Sequence, residues 1–501
     1  MSLAMVFTRA SAGVEAPLVT VETHLSNGLP AFHILGLPET AVKESRDRVR
    51  SAIINSHFEF PAGRITVNLA PADLPKEGGR FDLAIALGIL AAAGQIPSEA
   101  LCNFEFLGEL ALTGELRPIR GSLSAALAST DSGRCLIVPT ANGAEAALTG
   151  NSGVFIAQHL LQVCAHLHRH QSLPVAVAEA VPTNSFNYPD LNDVRGQGQA
   201  KRALEIAASG GHNLLLCGPP GTGKTMLASR LPGILPALSR AEMLEVAVIF
   251  SASKQVGQPL VYRRPFRNPH HTASAVALVG GGSQPRPGEI SLAHRGVLFL
   301  DELPEFQRQV LEVLREPLES GEILISRASG QVRYPAHFQL VAAMNPCPCG
   351  YFGDSNRACR CTADNVRRYR NKISGPLLDR IDLQLALSRL PASAIRQPSI
   401  DIEPSATVRE RVLLARQVQL DRQRKTNANL TIKELEHWCS LSNTSQQLLE
   451  AAVTRLKLSP RAYHRILRVA RTIADMTQTT AIEDSHLLEA IGYRALDREI
   501  L

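Results

Sequence analysis

The sequence has few aromatic residues and only a small imbalance of charge. Phe, Tyr and Trp make up 5% of the 501 residues, and there is a single Trp. Stacking of bases on aromatic side chains is therefore not expected as the main contact with a nucleic acid. The formal net charge is +6, from 52 Lys and Arg against 46 Asp and Glu. This mildly basic balance permits a nucleic-acid partner without requiring one.

Long apolar runs are also missing. The longest, Leu83–Gly94, is shorter than the ~20 residues that a membrane-spanning helix needs. The first ten residues carry Arg9 within a weakly apolar run and lack the organisation of a signal peptide. We therefore expect a cytoplasmic protein with no membrane association. The hydrophobic content of 45% is typical of a globular chain, and the length predicts about three domains.

The pattern along the chain predicts an α/β protein with three regions. Residues 1–171 mix short strands with helices, which indicates an α+β domain, and a proline-containing linker follows at 172–189. Residues 190–395 alternate strands and helices, with near-continuous apolar strands typical of a covered parallel sheet. Residues 396–501 are predicted to be helical. The strands predicted for the first two regions are Arg64–Leu69, His212–Cys217, Val297–Asp301 and Phe338–Met344; the helices predicted for the first and third are Phe81–Ala93, Thr407–Arg424, Ile432–Ser440, Asn443–Lys457, Pro460–Met476 and Ile482–Tyr493.

A glycine-rich segment between a predicted strand and a predicted helix has the spacing of a phosphate-binding loop. In such loops, glycines let backbone N–H groups turn towards phosphates, the lysine reaches the β and γ phosphates, and the last hydroxyl holds Mg²⁺. A chance glycine loop is the weaker alternative in this context. The residues predicted to bind ATP are Gly218, Pro219, Pro220, Gly221, Thr222, Gly223, Lys224 and Thr225.

Two carboxylates follow the apolar strand that ends near Leu300. Buried strands rarely end in paired acids without a cation, so Asp301 is predicted to join Thr225 in the Mg²⁺ shell. Glu302 is predicted to activate the attacking water as a general base. A helix cap followed by a first-turn acid is the alternative interpretation.

Three further polar residues are candidates on weaker signals. Asn345 ends a predicted strand, where an amide could contact a γ-phosphate or water, although Asn before Pro is also a common turn start. Arg380 follows two leucines and could equally form an ion pair with Asp379 or Asp382. Arg461 lies at the start of a helix, where a cation opposes the helix dipole and a nearby phosphate would explain it.

Four of the nine cysteines fall within residues 347–361 as two C-x-C pairs. Cys347, Cys349, Cys359 and Cys361 could close a tetrahedral structural Zn²⁺ site. The spacing is tighter than the usual C-x-x-C, so unligated or redox-active thiols remain the alternative. The adjacent His270 and His271 are instead expected to contact phosphate or pack, because neighbouring side chains on a strand point apart.

Together these motifs resemble the AAA+ ATPases of the magnesium-chelatase/MCM-like clade, and the whole chain resembles the ComM (YifB) branch. The resemblance implies that Asn345 is sensor 1, Arg380 an arginine finger given to a neighbouring subunit, and Arg461 sensor 2 on a helical lid. It also implies a ring, usually hexameric, that acts as a helicase on single-stranded or branched DNA in recombination during natural transformation. The segments that carry it are Asp193–Gln197, Gly218–Thr225, Phe266–His271, Pro287–His294, Phe299–Phe306, Asn345–Gly350 and Ser374–Arg380.

Independent support for DNA is partial. Basic residues concentrate between Arg357 and Arg380, seven against two acids, and in Lys254–Arg267; such stretches attract phosphate, although a solvated or subunit-contact surface is the alternative. Residues Gly321–Tyr334 are predicted to form a hairpin that in the resembled clade points into the ring pore, with Arg327 and Arg333 as candidate DNA contacts. An ordinary edge hairpin is equally consistent with the sequence. Val279–Ser283 resembles the clade's insert in helix 2.

Residues 1–171 resemble the Lon-protease-like domain through Pro75–Asp82 and Gly108–Gly121. The position of the nucleophilic Ser holds Arg80, and Ser122-Leu-Ser124 offers no Lys, so the Ser–Lys pair needed for proteolysis is missing. A non-proteolytic domain is therefore predicted. Three functions remain: a DNA-translocating ATPase, which is favoured; a Mg-chelatase-type motor that remodels a protein partner; and a Lon-like ATP-dependent protease, which is disfavoured.

Overall fold

The structure is a computed structural model that describes most of the chain. Among the residues described, no helix combines the length and apolarity that a bilayer-spanning segment requires. The described residues are 2–36, 44–74, 76, 78–178, 188–253, 263–282, 286–327, 330–354, 356–390, 403–456 and 458–494.

The first region is built on a seven-stranded mixed sheet of order β3-β4-β2-β1-β5-β8-β9. The β1–β2 and β2–β4 pairs are antiparallel, and the other pairs are parallel. Helix α2 is buried along its whole length, as its continuous apolar sequence predicts. The elements are β1 (Ser2–Arg9), β2 (Leu18–Ser26), β3 (Ala31–Leu35), α1 (Ser45–Asn55), β4 (Arg64–Ala70), α2 (Asp82–Ala92), β5 (Phe104–Phe106), β6 (Glu109–Leu110), β7 (Leu116–Arg117), α3 (Ser122–Asp131), β8 (Cys135–Pro139), α4 (Gly143–Ala146), β9 (Val154–Ala157) and α5 (Leu160–Leu167).

The second region contains a five-stranded sheet of order β11-β14-β17-β10-β18, in which all neighbours are parallel. This confirms the expected parallel-sheet core. The elements are α6 (Gly198–Gly210), β10 (Leu214–Cys217), α7 (Lys224–Ala228), α8 (Leu231–Ile234), α9 (Arg240–Ser253), β11 (Phe266–Arg267), α10 (Ala275–Val279), β12 (Gly280–Gly281), β13 (Arg286–Pro287), α11 (Glu289–Leu292), β14 (Val297–Leu300), α12 (Arg308–Glu312), α13 (Pro317–Ser320), β15 (Glu322–Arg327), β16 (Gly330–Pro335), β17 (Gln339–Met344), α14 (Ala363–Arg370), α15 (Gly375–Leu378) and β18 (Leu383–Ala386).

Both faces of this parallel sheet are covered, which explains its uninterrupted apolar strands. Leu214 and Leu216 face one hydrophobic cluster, which they share with α6 and the C-terminal helices. Leu215 and Cys217 face a second cluster, which includes α12 and residues of the β15–β16 hairpin. Because side chains alternate along β10, the strand packs against one hydrophobic cluster on each face of the sheet.

The described part of the third region, 403–456 and 458–494, is helical as predicted, with α16 (Ser405–Gln423), α17 (Ile432–Trp438), α18 (Asn443–Leu456), α19 (Pro460–Met476) and α20 (Asp484–Gly492). Helix α19 is tied to the core where Arg465 forms an ion pair with the buried carboxylate of Asp382, which also faces His212. The Arg465 guanidinium, together with the nearby His212 ring, holds the pKa of Asp382 well below its usual range despite its burial.

The first region packs directly against the second. Leu123 of α3 forms a small apolar cluster with Ala247 and Val248 of α9. Beside this cluster, the Ser251 hydroxyl donates a hydrogen bond to the Glu145 carboxylate. The N-terminal region therefore contacts α9, the helix that precedes β11 in the second region.

Candidate nucleotide-binding site

The phosphate-loop sequence lies between the carboxyl end of β10 and the start of α7. Gly221 and Gly223 have φ angles of 81° and 83°, a backbone region that favours glycine. Thr222 stabilises the turn, since its Oγ1 donates to the carbonyl of Pro219 over 2.9 Å. The predicted strand, loop and helix therefore occur in that order, although β10 begins at Leu214 and α7 already begins at Lys224.

Lys224 of the phosphate loop and Asn345, which were predicted from separate motifs, lie in contact at this loop. The Lys224 Nζ lies 2.7 Å from the Gly218 carbonyl oxygen and 3.1 Å from the Asn345 Oδ1. Burial lowers the pKa of Lys224, and the carboxylate of Asp301 opposes that shift. Because β10 and β17 are adjacent parallel strands, the residues that follow them share one edge of the sheet. Asn345 is thereby placed where it could sense a bound γ-phosphate.

The two residues predicted to support Mg²⁺ also meet. The Thr225 Oγ1 donates to the Asp301 Oδ2 over 2.7 Å, and Asp301 directly follows β14. A hydroxyl and a carboxylate are hard oxygen ligands of the kind that Mg²⁺ prefers. This donor pair therefore fits a magnesium ion beside the phosphate loop.

Glu302 lies beside Asp301 and has an unexpected neighbour. Its φ angle is +53°, which is uncommon for a residue other than glycine, and its side chain is 51% exposed. The His271 Nδ1 lies 3.2 Å from the Glu302 Oε2. From the sequence we expected His271 to contact phosphate or to pack. Its position beside the predicted general base follows from the pairing of β11 with β14, which the sequence alone did not give.

Arg380 lies away from this edge of the sheet, and Arg461 lies on the same side as Arg380, because Ser459 at the start of its helix donates to the Asp379 Oδ1 over 3.3 Å. The main-chain oxygen of Arg380 accepts a hydrogen bond from the Asn213 Nδ2 over 3.1 Å, and Asn213 comes just before β10. The Arg380 guanidinium pairs with Glu319 and donates to the Pro376 carbonyl. Burial and then the neighbouring cations, Arg461 among them, lower the pKa of Arg380.

The ion pair expected for Arg380 as an alternative to the finger role has a different partner. The partner is Glu319 of α13 rather than Asp379 or Asp382. Asp382 is occupied by Arg465, which lies on another helix. Spacing along the chain favoured the two nearby aspartates, whereas the fold brings α13 from 61 residues away.

The side chains of Cys347, Cys349, Cys359 and Cys361 lie close together in the structure. Their Sγ atoms all lie within 4.8 Å of one another, and the Cys347–Cys349 and Cys349–Cys359 pairs are 3.4 and 3.5 Å apart. Hydrogen bonds from the backbone N–H groups of Arg360 and Tyr351 lower the pKa of Cys349 to about 6, whereas burial and the neighbouring thiols raise the pKa of Cys359 and of Cys361. Four converging sulfurs are a donor set suited to Zn²⁺.

The structure divides the basic stretches into exposed and buried side chains. Arg264 is buried, and its guanidinium donates to the carbonyls of Pro236 and Arg295. Arg370 is buried as well and donates to the Pro346 carbonyl. These two and Arg380 therefore do not belong to an exposed basic surface, which corrects the sequence interpretation. The exposed members are Arg263, Arg357, Arg360, Arg367, Arg368 and Lys372, while Lys254 lies outside the described residues.

The predicted hairpin forms from β15 and β16 as an antiparallel pair with register Glu322↔Pro335. Arg333 on β16 is 69% exposed and lies 3.3 Å from Glu322. Residues 328 and 329, where the sequence predicts the turn, and the side chain of Arg327 lie outside the described residues. In the predicted insert, α10 leads into the short β12–β13 pair and then into α11.

In the first region, the residues aligned with the proteolytic positions are buried. Arg80 lies in the turn Gly79–Phe81, and Ser122 and Ser124 belong to the buried face of α3. The Lys76 Nζ donates to the carbonyl of Pro71. Among the described residues, these side chains do not form a Ser–Lys pair.

Comparison with known families defines the class of the chain. The family model "Magnesium chelatase, subunit ChlI" matches residues 190–395, and "Magnesium chelatase, subunit ChlI C-terminal" matches 402–494. "Subunit ChlI of Mg-chelatase" matches residues 21–142. These matches define an AAA+ ATPase of the Mg chelatase-like type, which implies ATP and Mg²⁺ as ligands.

Full-length relatives make the assignment more specific. The chain is 54% identical to YifB of Salmonella typhimurium over 100% of this chain and 99% of the relative. It is 53% identical to "Competence protein ComM" of Haemophilus influenzae, with coverage of 99% and 98%. The "Magnesium-chelatase 38 kDa subunit" of Cereibacter sphaeroides is 28% identical over 30% of this chain and 51% of that protein. The chain belongs to the ComM/YifB family of Mg chelatase-like AAA+ ATPases.

Proposed function

We propose that the chain is an ATP-driven DNA motor that works as a ring, with six subunits as the expected number. It uses ATP hydrolysis to drive branch migration during homologous recombination of incoming DNA in natural transformation, in the cytoplasm. The name of the relative from Haemophilus influenzae, a competence protein, supports this setting. The observation that carries the proposal is the separation of two cationic residues, Arg380 and Arg461, from the phosphate loop of their own chain.

The distance between Arg380 and the phosphate loop can be estimated from the length of β10. Arg380 is bonded to Asn213 before the strand, whereas the phosphate loop starts at Gly218 after it. Five residue steps at about 3.3 Å each give roughly 16 Å between the two ends. An arginine side chain does not span that distance. We infer that Arg380 and Arg461 act on nucleotide held by the neighbouring subunit, which requires head-to-tail contacts of the kind that form a closed ring.

Within one subunit, the described residues divide the chemistry of hydrolysis among themselves. The loop from Gly218 to Thr225 and the Lys224 ammonium bind the phosphates, and Asn345 orients the γ-phosphate or the attacking water. Glu302 accepts the proton of that water, and His271 holds its carboxylate. Mg²⁺, held through Thr225 and Asp301, would neutralise charge that develops on the phosphate oxygens.

DNA contact is assigned to the exposed basic side chains. Arg333 of the β15–β16 hairpin is the leading candidate, together with Arg327 by sequence. Arg360, Arg367 and Arg368 lie on the exposed side of the stretch that follows the cysteines. Contacts of this kind recognise the phosphate backbone without reading base sequence, as a translocating motor requires.

We further propose that Cys347, Cys349, Cys359 and Cys361 hold a structural Zn²⁺. The convergence of the four Sγ atoms supports this assignment. Four sulfur ligands make a closed tetrahedral site of the structural type, so the ion would stabilise the loop rather than catalyse a reaction. Metal analysis of the purified protein and of the Cys347→Ser, Cys361→Ser double variant tests it.

The first region is proposed to be a Lon-like domain without proteolytic activity, acting as a platform for the ring. A Mg-chelatase-type motor that remodels a protein partner is the second candidate, and the local similarity to the magnesium-chelatase subunit favours it. The third candidate, an ATP-dependent protease, is disfavoured by the buried Arg80 in place of a nucleophile.

The experiment that separates these candidates is the steady-state ATPase rate with and without a synthetic branched DNA junction. A DNA motor is expected to turn over ATP faster when the junction is present. The Lys224→Ala variant controls for contaminating ATPases, because it removes the phosphate contact. A rate that no single-stranded or branched DNA changes would contradict the DNA motor and favour the protein-remodelling function.

A further inference from the structure

The cysteine loop, residues 347–361, packs against the phosphate loop. Gly350 has a φ angle of +84°, and a Cβ atom added there would lie 2.7 Å from the Pro220 Cδ. That distance is shorter than a carbon–carbon contact allows, so only glycine lets the backbone approach the proline ring this closely. The turn is held by its own thiols, because the Cys347 Sγ accepts from the Phe352 N–H over 3.3 Å.

A second connection between the cysteine loop and the phosphate loop runs through Arg389, which follows β18. The Asp354 Oδ2 lies 3.0 Å from the Arg389 Nε, and the Asp354 side chain is 1% exposed. The Arg389 Nη2 donates to the carbonyl of Pro220 over 3.4 Å. The Arg389 guanidinium also lies over the ring of Tyr351, 5.4 Å from its centroid. Arg389 is therefore held by two residues of the cysteine loop while it contacts the phosphate loop.

The cysteine loop also begins directly after the proposed γ-phosphate sensor. Asn345 is two residues before Cys347, and the intervening Pro346 carbonyl accepts from the Arg370 Nε over 3.1 Å. Any movement of the cysteines would thus reach the phosphate-binding residues from two sides, through Asn345 and through Pro220. Close packing of this kind transmits displacements rather than absorbing them.

We propose that the cysteine loop positions the phosphate loop, so that occupancy of the four-cysteine site sets the affinity of the protein for nucleotide. Four sulfurs bound to one ion are fixed relative to one another, whereas four unligated thiols are joined only by weak contacts. Gly350 and the Asp354–Arg389 pair transmit that order to Pro220. The inference rests on the proposed zinc site and on nucleotide binding at Lys224.

The test measures the dissociation constant of ADP with Mg²⁺ by calorimetry on the full chain, alongside its zinc content and melting temperature. Protein stripped of zinc with a chelator, which is then removed, is expected to bind ADP about fivefold more weakly, and reloading with zinc should restore the affinity. Asp354→Asn should weaken binding by a similar factor while the zinc content stays at the wild-type level. Asp364→Asn is the matched control, because Asp364 is exposed and forms an ion pair with Arg367 on the same helix.

Two results would overturn the inference. One is an unchanged ADP affinity in folded, zinc-free protein; the other is an unchanged affinity in Asp354→Asn. Failure to find zinc in the wild-type protein would contradict the metal site itself, and the Asp354→Asn comparison would still decide whether the loop sets affinity. Should Asp354→Asn lose its melting transition, Gly350→Ala provides the second variant, since its added methyl group displaces Pro220 directly.

Discussion

Mixing two inactive variants tests whether Arg380 serves a neighbouring subunit. Arg380→Ala should lower the ATPase kcat by about 10³-fold or more, the usual contribution of an arginine finger, and Lys224→Ala should remove turnover through the phosphate loop. If each active site needs Lys224 from one subunit and Arg380 from the next, a random equal mixture contains complete sites at about one interface in four. The fraction does not depend on the number of subunits in the ring.

The assay is the specific ATPase rate of the two variants, alone and after mixing at several ratios. We expect about one quarter of the wild-type rate at equal amounts. The control mixes Lys224→Ala with Glu302→Gln, because both defects belong to the same side of the interface and should not complement. The reasoning would be refuted if mixing Arg380→Ala with Lys224→Ala never restored turnover, or if Arg380→Ala alone were fully active.

Three further predictions follow from particular contacts. His271→Ala should lower kcat about tenfold with an unchanged dissociation constant for nucleotide, because His271 orients the Glu302 carboxylate; an unaltered kcat would exclude that role. Burial lowers the pKa of His294 from 6.5 to about 4, so the unfolded chain binds a proton that the folded chain does not, and stability falls as pH drops through this interval. The loss, on the order of 3 kcal/mol, should appear in denaturant unfolding at pH 7 and pH 4.5 and shrink in His294→Gln; equal pH dependence in both proteins would contradict it. Arg333→Ala should weaken binding to all DNA sequences alike and reduce the slope of log affinity against log salt by about one, whereas an unchanged slope would remove Arg333 from the DNA contacts.

Much of the fold and half of the site could be predicted because their signals are local. Apolar strands covered on both faces, a glycine loop before a helix and acids at a strand end each fall within a few residues. The meeting of Lys224, Asn345 and Asp301 then follows from one rule, since the carboxyl ends of parallel strands share an edge.

Other features depended on contacts between distant segments, which no local pattern encodes. Glu319 reaches Arg380 because the fold brings α13 beside the segment that precedes β18, and His271 reaches Glu302 because β11 pairs with β14. The burial of Arg370 and Arg264 likewise could not be read from a run of basic residues, because charge patterning does not say which side chains are covered. These contacts and burials depend on how the strands pair and how the layers pack, which only the structure shows.

The most direct measurement of the central claim is the conversion of a synthetic DNA junction into its branch-migrated products by the purified protein. We predict conversion with ATP and Mg²⁺ that stops in the Lys224→Ala and Arg380→Ala variants. A junction left unchanged by active, ring-forming protein, or converted equally well without ATP, would contradict the account.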